Sequence, residues 1–157
     1  KWLMDVGTNY WVLAAVGLGF LGVVVWQRAW RVGVAIVGAT AVAGQFSDLL
    51  KQHFERPRPA FPDALIQVDG WAMPSSHSSV LAAGSVTVVC VVAWASRRTR
   101  IRMSVVLALG TLLVGVAMVY LGSHWPTDLV AGWALGAAIG AVFGYVFRPR
   151  EHPAPKG

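Results

Sequence analysis

The chain has 157 residues, 56% of them hydrophobic and 13% charged, with a net charge of +6 and a mean hydropathy of +0.59. This balance lies outside that of soluble globular domains, where about a quarter of residues are charged, and it places the chain in a bilayer. One cysteine, Cys90, excludes an intramolecular disulfide and reads as a small core residue deep in an apolar run.

Uncharged runs cover residues 6–27, 32–47, 70–96 (His77 aside), 103–123 and 129–147. A spanning helix needs about 20 mostly apolar residues, and the second run reaches that length when residues 48–52 extend it. Only helices or closed barrels cross lipid, and none of these runs shows the alternation of barrel strands. The expected fold is therefore all-α, a polytopic membrane bundle of five helices in one domain (residues 1–148) with a short tail (149–157). The first run is too long for a signal-peptide core and continues into further spans, so it reads as a true first helix.

Between the second and third runs, Pro57, Pro59 and Pro62, with Pro74 at the boundary, disfavour regular helix. That loop either covers a site or rests Leu65, Ile66 and Trp71 on lipid. Along the fifth run Gly132, Gly136, Gly140 and Gly144 recur every four residues, a stripe where a neighbouring backbone can approach closely. Trp2, Trp11, Trp26, Trp30, Trp71, Trp94 and Trp125 fall near run ends as an interfacial belt, while Trp133 sits farther in and packs.

With five spans, Arg28, Arg31, Arg97, Arg98, Arg100, Arg102, Arg148, Arg150 and Lys156 share one side, and Lys1, Lys51, Arg56 and Arg58 the other. The richer side is expected in the cytoplasm of an integral plasma (inner) membrane protein. The basic run at residues 97–102 reads as a topology signal able to touch anionic headgroups, and no nucleic-acid partner is expected.

Three polar islands then face the extracytoplasmic side. The first, Lys51 to Pro59, brings a point charge at Lys51 and a planar fork at Arg58. In the second, Pro74-Ser75-Ser76-His77 precedes a long apolar run. Ser75 or Ser76 is a natural N-cap there, free first-turn N–H groups suit a phosphate, and His77 is placed to donate a proton. In the third, His124-Trp125-Pro126-Thr127-Asp128, Pro126 suits the first helical position. Asp128 can accept an N–H from His124 and leave the other ring nitrogen as a nucleophile. Snorkelling cations, a serine cap and an acidic cap are the plain structural alternatives for each island taken alone. His53, His77, His124 and Asp128 show no recognisable metal-ligand spacing.

Together the islands resemble the type 2 phosphatidic acid phosphatase family of membrane lipid phosphatases. Its Lys, six residues, Arg-Pro pattern is met at Lys51 and Arg58-Pro59, and its Pro-Ser-x-His element at Pro74, Ser75 and His77, with Ser76 where glycine is usual. Its third element, commonly Ser-Arg, five residues, His, three residues, Asp, is met at His124 and Asp128. The resemblance implies that the five helices match the second to sixth of a six-helix core. It further implies that His124 attacks phosphorus, Asp128 supports it, and His77 protonates the leaving group. Lys51, Arg58, Ser75, Ser76 and the neighbouring amides would hold the phosphate, with no metal or cofactor. The substrate would be a lipid phosphate or diphosphate, polyprenyl or glycerolipid, among membrane lipids.

The chain departs from the pattern at Ala117 and Met118, which stand where the family has Ser-Arg. A lost hydrogen bond to a charged group costs about 1.5–3 kcal/mol, roughly ten- to a hundredfold, and an arginine acting on the transition state can be worth ~10³. Arg56 is a possible compensating cation. The alternative function is a lipid-phosphate binding or translocating protein with weak or no turnover.

Overall fold

The computed structural model describes residues 30–59, 65–66 and 68–148. The expected first span and the tail lie outside them, as do Trp2, Trp11 and Trp26. The chain divides into two units, Lys1–Val34 and Ala35–Gly157. Four helices are described: α1 (Trp30–Phe54), α2 (Ser76–Val91), α3 (Arg97–Tyr120) and α4 (Pro126–Phe147). Apart from residues 30–34 of α1, all belong to the second unit, and no strand occurs among the described residues.

Three of these helices, α1, α3 and α4, are long and apolar enough to cross a membrane. Within the third expected run, at 70–96, helix occupies only Ser76–Val91. Sixteen residues rise about 24 Å, short of the ~30 Å hydrocarbon core. Pro74 and the Ser75 cap set the start, and at the other end Val92 turns extended (φ −76°, ψ 132°). Helix α3, the fourth expected span, begins at Arg97, six residues before the apolar run at Met103. Ser96 accepts the Thr99 N–H at 3.0 Å and caps it there. Charge ends an apolar run without ending a helix, because long arginine side chains extend toward water while the backbone continues.

The glycine stripe of α4 lies on α2. A Cβ at Gly132, Gly136 or Gly140 would come within 2.6, 2.0 or 2.6 Å of the carbonyl oxygens of Ser75, Ser79 and Ala83, and one at Gly144 within 2.5 Å of the Cys90 Cβ. Backbones this close need residues without side chains. Thr87, fully buried, satisfies its hydroxyl on Ala83 O at 2.7 Å and reaches Gly140 O of α4 at 3.3 Å. On the other flank Ala39 and Ala43 of α1 meet Ala83 of α2, with Ile139 and Phe143 of α4 against them. By contrast, α3 is peripheral. Its one buried residue is Gly115, which receives the edge of the Trp133 ring. A largely apolar pocket of about 420 Å³ opens between it, α2 and α4, lined by Ala82, Val86, Leu107, Ala108 and Trp133 among others, with the Ser85 and Thr111 hydroxyls 3.4 Å apart across α2 and α3.

Candidate active site

Three chain reversals bring the polar islands to one end of the bundle. The first ends α1, where Glu55 adopts a left-handed conformation (φ 45°) and its N–H bonds Lys51 O at 3.0 Å. Helix cannot continue past such a residue, and Pro57 follows it. The strand of loop carrying Arg56 and Arg58 then returns over the bundle. It is held by Ala72 N–H to Arg56 O (2.9 Å) and by Arg58 Nε to Gly70 O (3.1 Å).

The second reversal ends α3. Gly122 (φ 74°) donates to Val119 O at 3.0 Å and Ser123 N–H to Met118 O at 3.1 Å, the paired bonds of a Schellman turn. The Ser123 hydroxyl also donates to Met118 O at 2.9 Å. His124 follows directly, 4% exposed. At the start of α4, Pro126 takes the first helical position and Asp128 Oδ2 accepts the Trp125 N–H at 2.8 Å. Pro126 thus takes its expected position and Asp128 acts as an acidic cap, while the expected hydrogen bond from His124 to Asp128 is not formed.

The third is the start of α2. Ser75, fully buried, is the N-cap: its hydroxyl accepts the Ser78 N–H, and its own N–H donates to Asp128 O at 3.0 Å, joining α2 to α4. The backbone N–H groups of Ser76 and His77 form no hydrogen bond among the described residues. They are the free donors at a helix N-terminus that favour an anion. His77 is exposed, and Ser76 is half-buried.

Lys51 Nζ donates to the Ser76 hydroxyl and lies 3.3 Å from Asp48 Oδ1, which also accepts from Ser76 Oγ at 3.1 Å. Arg58 Nη1 donates to Ser123 O at 2.7 Å and meets His124 Nε2 at 3.3 Å. A guanidinium only donates, so Nε2 must present its lone pair, and the ring proton belongs on Nδ1. Nδ1 faces Asp128 Oδ2 at 3.5 Å, an approach without hydrogen-bond geometry, so that buried nitrogen is otherwise unpartnered. Burial first, then the Arg58 charge and, less strongly, Lys51 push the His124 pKa down to about 4, while Asp128 opposes them. At neutral pH the ring is therefore uncharged, with a lone pair on Nε2. Burial lowers the Arg58 pKa too, with Asp128 and Asp69 opposing; an arginine stays charged regardless.

Arg56 turns toward α4. Its Nη1 donates to Asp128 Oδ1 at 2.8 Å and to the Thr127 hydroxyl, and its guanidinium lies 5.6 Å from the Trp125 ring centroid. Sequence reasoning missed Asp48, Thr127 and the Ser123 carbonyl. Asp48 stands one turn before Lys51, the only local signal it gave; the other two are recognised only through partners 71 and 65 residues away. Among the described residues no three His, Cys, Asp or Glu side chains cluster as metal ligands would.

Fold and site define an integral membrane helical bundle with a polar cup at one end, in which a neutral imidazole meets Arg58 and a helix N-terminus carries free amides. The chain belongs to the PAP2 superfamily, whose family model matches residues 29–151. It is 26% identical over 121 residues to an undecaprenyl-diphosphatase of Sulfolobus acidocaldarius, covering 73% of this chain and 55% of that protein. It is 31% identical over 132 residues to the decaprenylphosphoryl-5-phosphoribose phosphatase of Mycobacterium tuberculosis, covering 80% and 67%. The chain thus spans about half the length of the first relative and two thirds of the second. The crystal structure of a transmembrane PAP2-type phosphatidylglycerolphosphate phosphatase from Bacillus subtilis shares the fold. The TM-score is 0.73 at 21% identity, over 89% of this chain and 70% of that one.

Proposed function

We propose that this chain is a metal-independent phosphatase that hydrolyses a lipid phosphate or diphosphate through a phosphohistidine on His124. The observation that carries the reading is the His124 Nε2 lone pair, turned to Arg58 at 3.3 Å, with the start of α2 tied to Asp128 by the Ser75 N–H. Lys51, Arg58, the Ser76 hydroxyl and the N–H groups of Ser76 and His77 surround the phosphoryl oxygens, where transition-state charge spreads. Nε2 attacks phosphorus, the bond to the leaving oxygen breaks, and His77 gives that oxygen a proton. Water then attacks the phosphohistidine, His77 takes up the water proton, the P–N bond breaks and phosphate departs. Asp128 holds the Nδ1–H side of the ring, and Ser75 serves as the cap that keeps the α2 turn in place.

The names of two relatives favour polyprenyl phosphates and diphosphates over glycerolipids as substrate. The cup lies at the end opposite Arg97, Arg98, Arg100, Arg102 and Arg148, which supports an extracytoplasmic site in the plasma membrane. Purified protein should release inorganic phosphate from polyprenyl diphosphate in detergent with chelator present, and His124→Ala should abolish release; full activity in that variant would refute the mechanism. Met118, standing where the family pattern has arginine, favours a second reading, a lipid-phosphate binder or translocator. Saturable binding of the same lipid by the intact protein without phosphate release would select it.

A further inference from the structure

We infer that Arg56 is a positioning residue for His124, acting through Asp128 and not on the phosphate. The inference rests on the reading of His124 as nucleophile. Asp128 is fully buried, and its two oxygens are divided: Oδ1 receives Arg56 Nη1 at 2.8 Å, while Oδ2 takes the Trp125 N–H at 2.8 Å and faces His124 Nδ1 at 3.5 Å. A carboxylate gripped on both edges cannot rotate away from the ring. Arg56 is itself braced, by Thr127, by the face of Trp125 and by the Ala72 N–H on its carbonyl, while Trp125 Nε1 donates to Pro57 O at 3.1 Å.

The other cations of the site are already assigned. Arg58 directs Nε to Gly70 O and Nη1 to Ser123 O and His124 Nε2, and Lys51 lies against Ser76 and Asp48. Arg56 is the cation in direct contact with the buried carboxylate. Removing that charge frees Asp128 to turn and strengthens its pull on a proton at His124; the ring still stays neutral near pH 7, so the loss of rate reports the lost aim of the imidazole. The charged and titratable groups around the ring are Lys51, with Asp48 behind it, on α1; Arg58, with Asp69, on the loop; His77 on α2; and Asp128 on α4. In Arg56→Gln all of these remain, so a changed titration reports the Arg56–Asp128 contact.

The test compares Arg56→Gln, Arg56→Lys and His124→Ala in detergent micelles. It uses the imidazole NMR titration of His124 and turnover of farnesyl diphosphate, a short polyprenyl diphosphate. Arg56→Gln should raise the His124 pKa by on the order of one unit. It should also lower kcat about ten- to a hundredfold, the range for losing a hydrogen bond to a charged group, with KM little changed. Arg56→Lys keeps the charge and should keep the parent titration while recovering part of kcat; should Arg56→Gln not fold, this variant must still lower kcat without raising KM. A His124 titration unmoved in Arg56→Gln overturns the inference, as does an unchanged kcat with weakened substrate and inorganic phosphate binding, the signature of a direct phosphate ligand. His124→Ala separates the two claims. If it is inactive and the titration is unmoved, only the role of Arg56 falls; if it is fully active and the titration shifts, the nucleophile falls and the coupling stands.

Discussion

Replacing Gly136 by alanine adds one methyl group at the closest approach of α4 to α2. That Cβ would lie 2.0 Å from the Ser79 carbonyl oxygen, 2.8 Å from its carbon and 2.9 Å from the Ala82 Cβ. Two of these neighbours are backbone atoms, so no rotamer change relieves them. The helices must part by about 1.4 Å to restore ordinary contact at 3.4 Å. Overpacking of this kind costs about 1–3 kcal/mol, and helix propensity returns at most ~1 kcal/mol on replacing glycine. The larger effect is on the cup, because α2 carries Ser76 and His77 while α4 carries Asp128. A displacement of 1 Å between catalytic groups can cost about a hundredfold. Thermal unfolding in detergent and phosphate release should both fall in Gly136→Ala. Gly110→Ala on α3, where an added Cβ meets nothing within 4 Å, should leave both unchanged or slightly improve stability. A Gly136→Ala protein as stable and active as the parent would refute the close-packing account.

Asp48→Asn removes a carboxylate that holds Lys51 and Ser76 in place of a phosphate oxygen. Because Asp48 is largely exposed, the gain is that of a surface pair, ~0.2–1 kcal/mol, so inhibition by inorganic phosphate should tighten by up to about fivefold, and weaker inhibition would count against this role. Met118→Arg places a donor at the end of α3 and should raise phosphate release roughly ten- to a hundredfold; unchanged release would mean that the cup is already complete without it. The His124 pKa is depressed to about 4 from 6.5, so the acid limb of kcat/KM should fall near pH 4, read from initial rates. The sign for stability follows: the unfolded chain binds the extra proton, so stability is full above about pH 6.5 and declines as pH drops toward 4. An acid limb at pH 6.5 would contradict the buried, neutral ring.

The three islands and the glycine stripe were readable because each is a short-range pattern: a cap, a proline at a helix start, a repeat of four. Each stands in the structure as its local chemistry requires, with Ser75 as cap, Pro126 at the first helical position and α4 glycines on the α2 backbone. The length of α2 was not readable, since an uncharged run from 70 to 96 records composition and not where the backbone leaves helix. Nor was the partner of Arg56. Its bond to Asp128 joins residues 72 apart, and the direction of that side chain is decided by the left-handed turn at Glu55 and the Trp125 ring, neither of which leaves a periodic trace.

His124 follows the least buried of the three described spans. Gly122 and Ser123 tie it to the last turn of α3, yet Gly115, against Trp133, is the one buried position of α3, and an apolar pocket opens between this helix and α2 and α4. If acyl chains of the bilayer complete the open side of this pocket, membrane thickness sets the aim of the imidazole. Reconstituting the chain in nanodiscs of increasing acyl length should shift phosphate release far more than it shifts the unfolding temperature, with equal sensitivity of the two arguing against it.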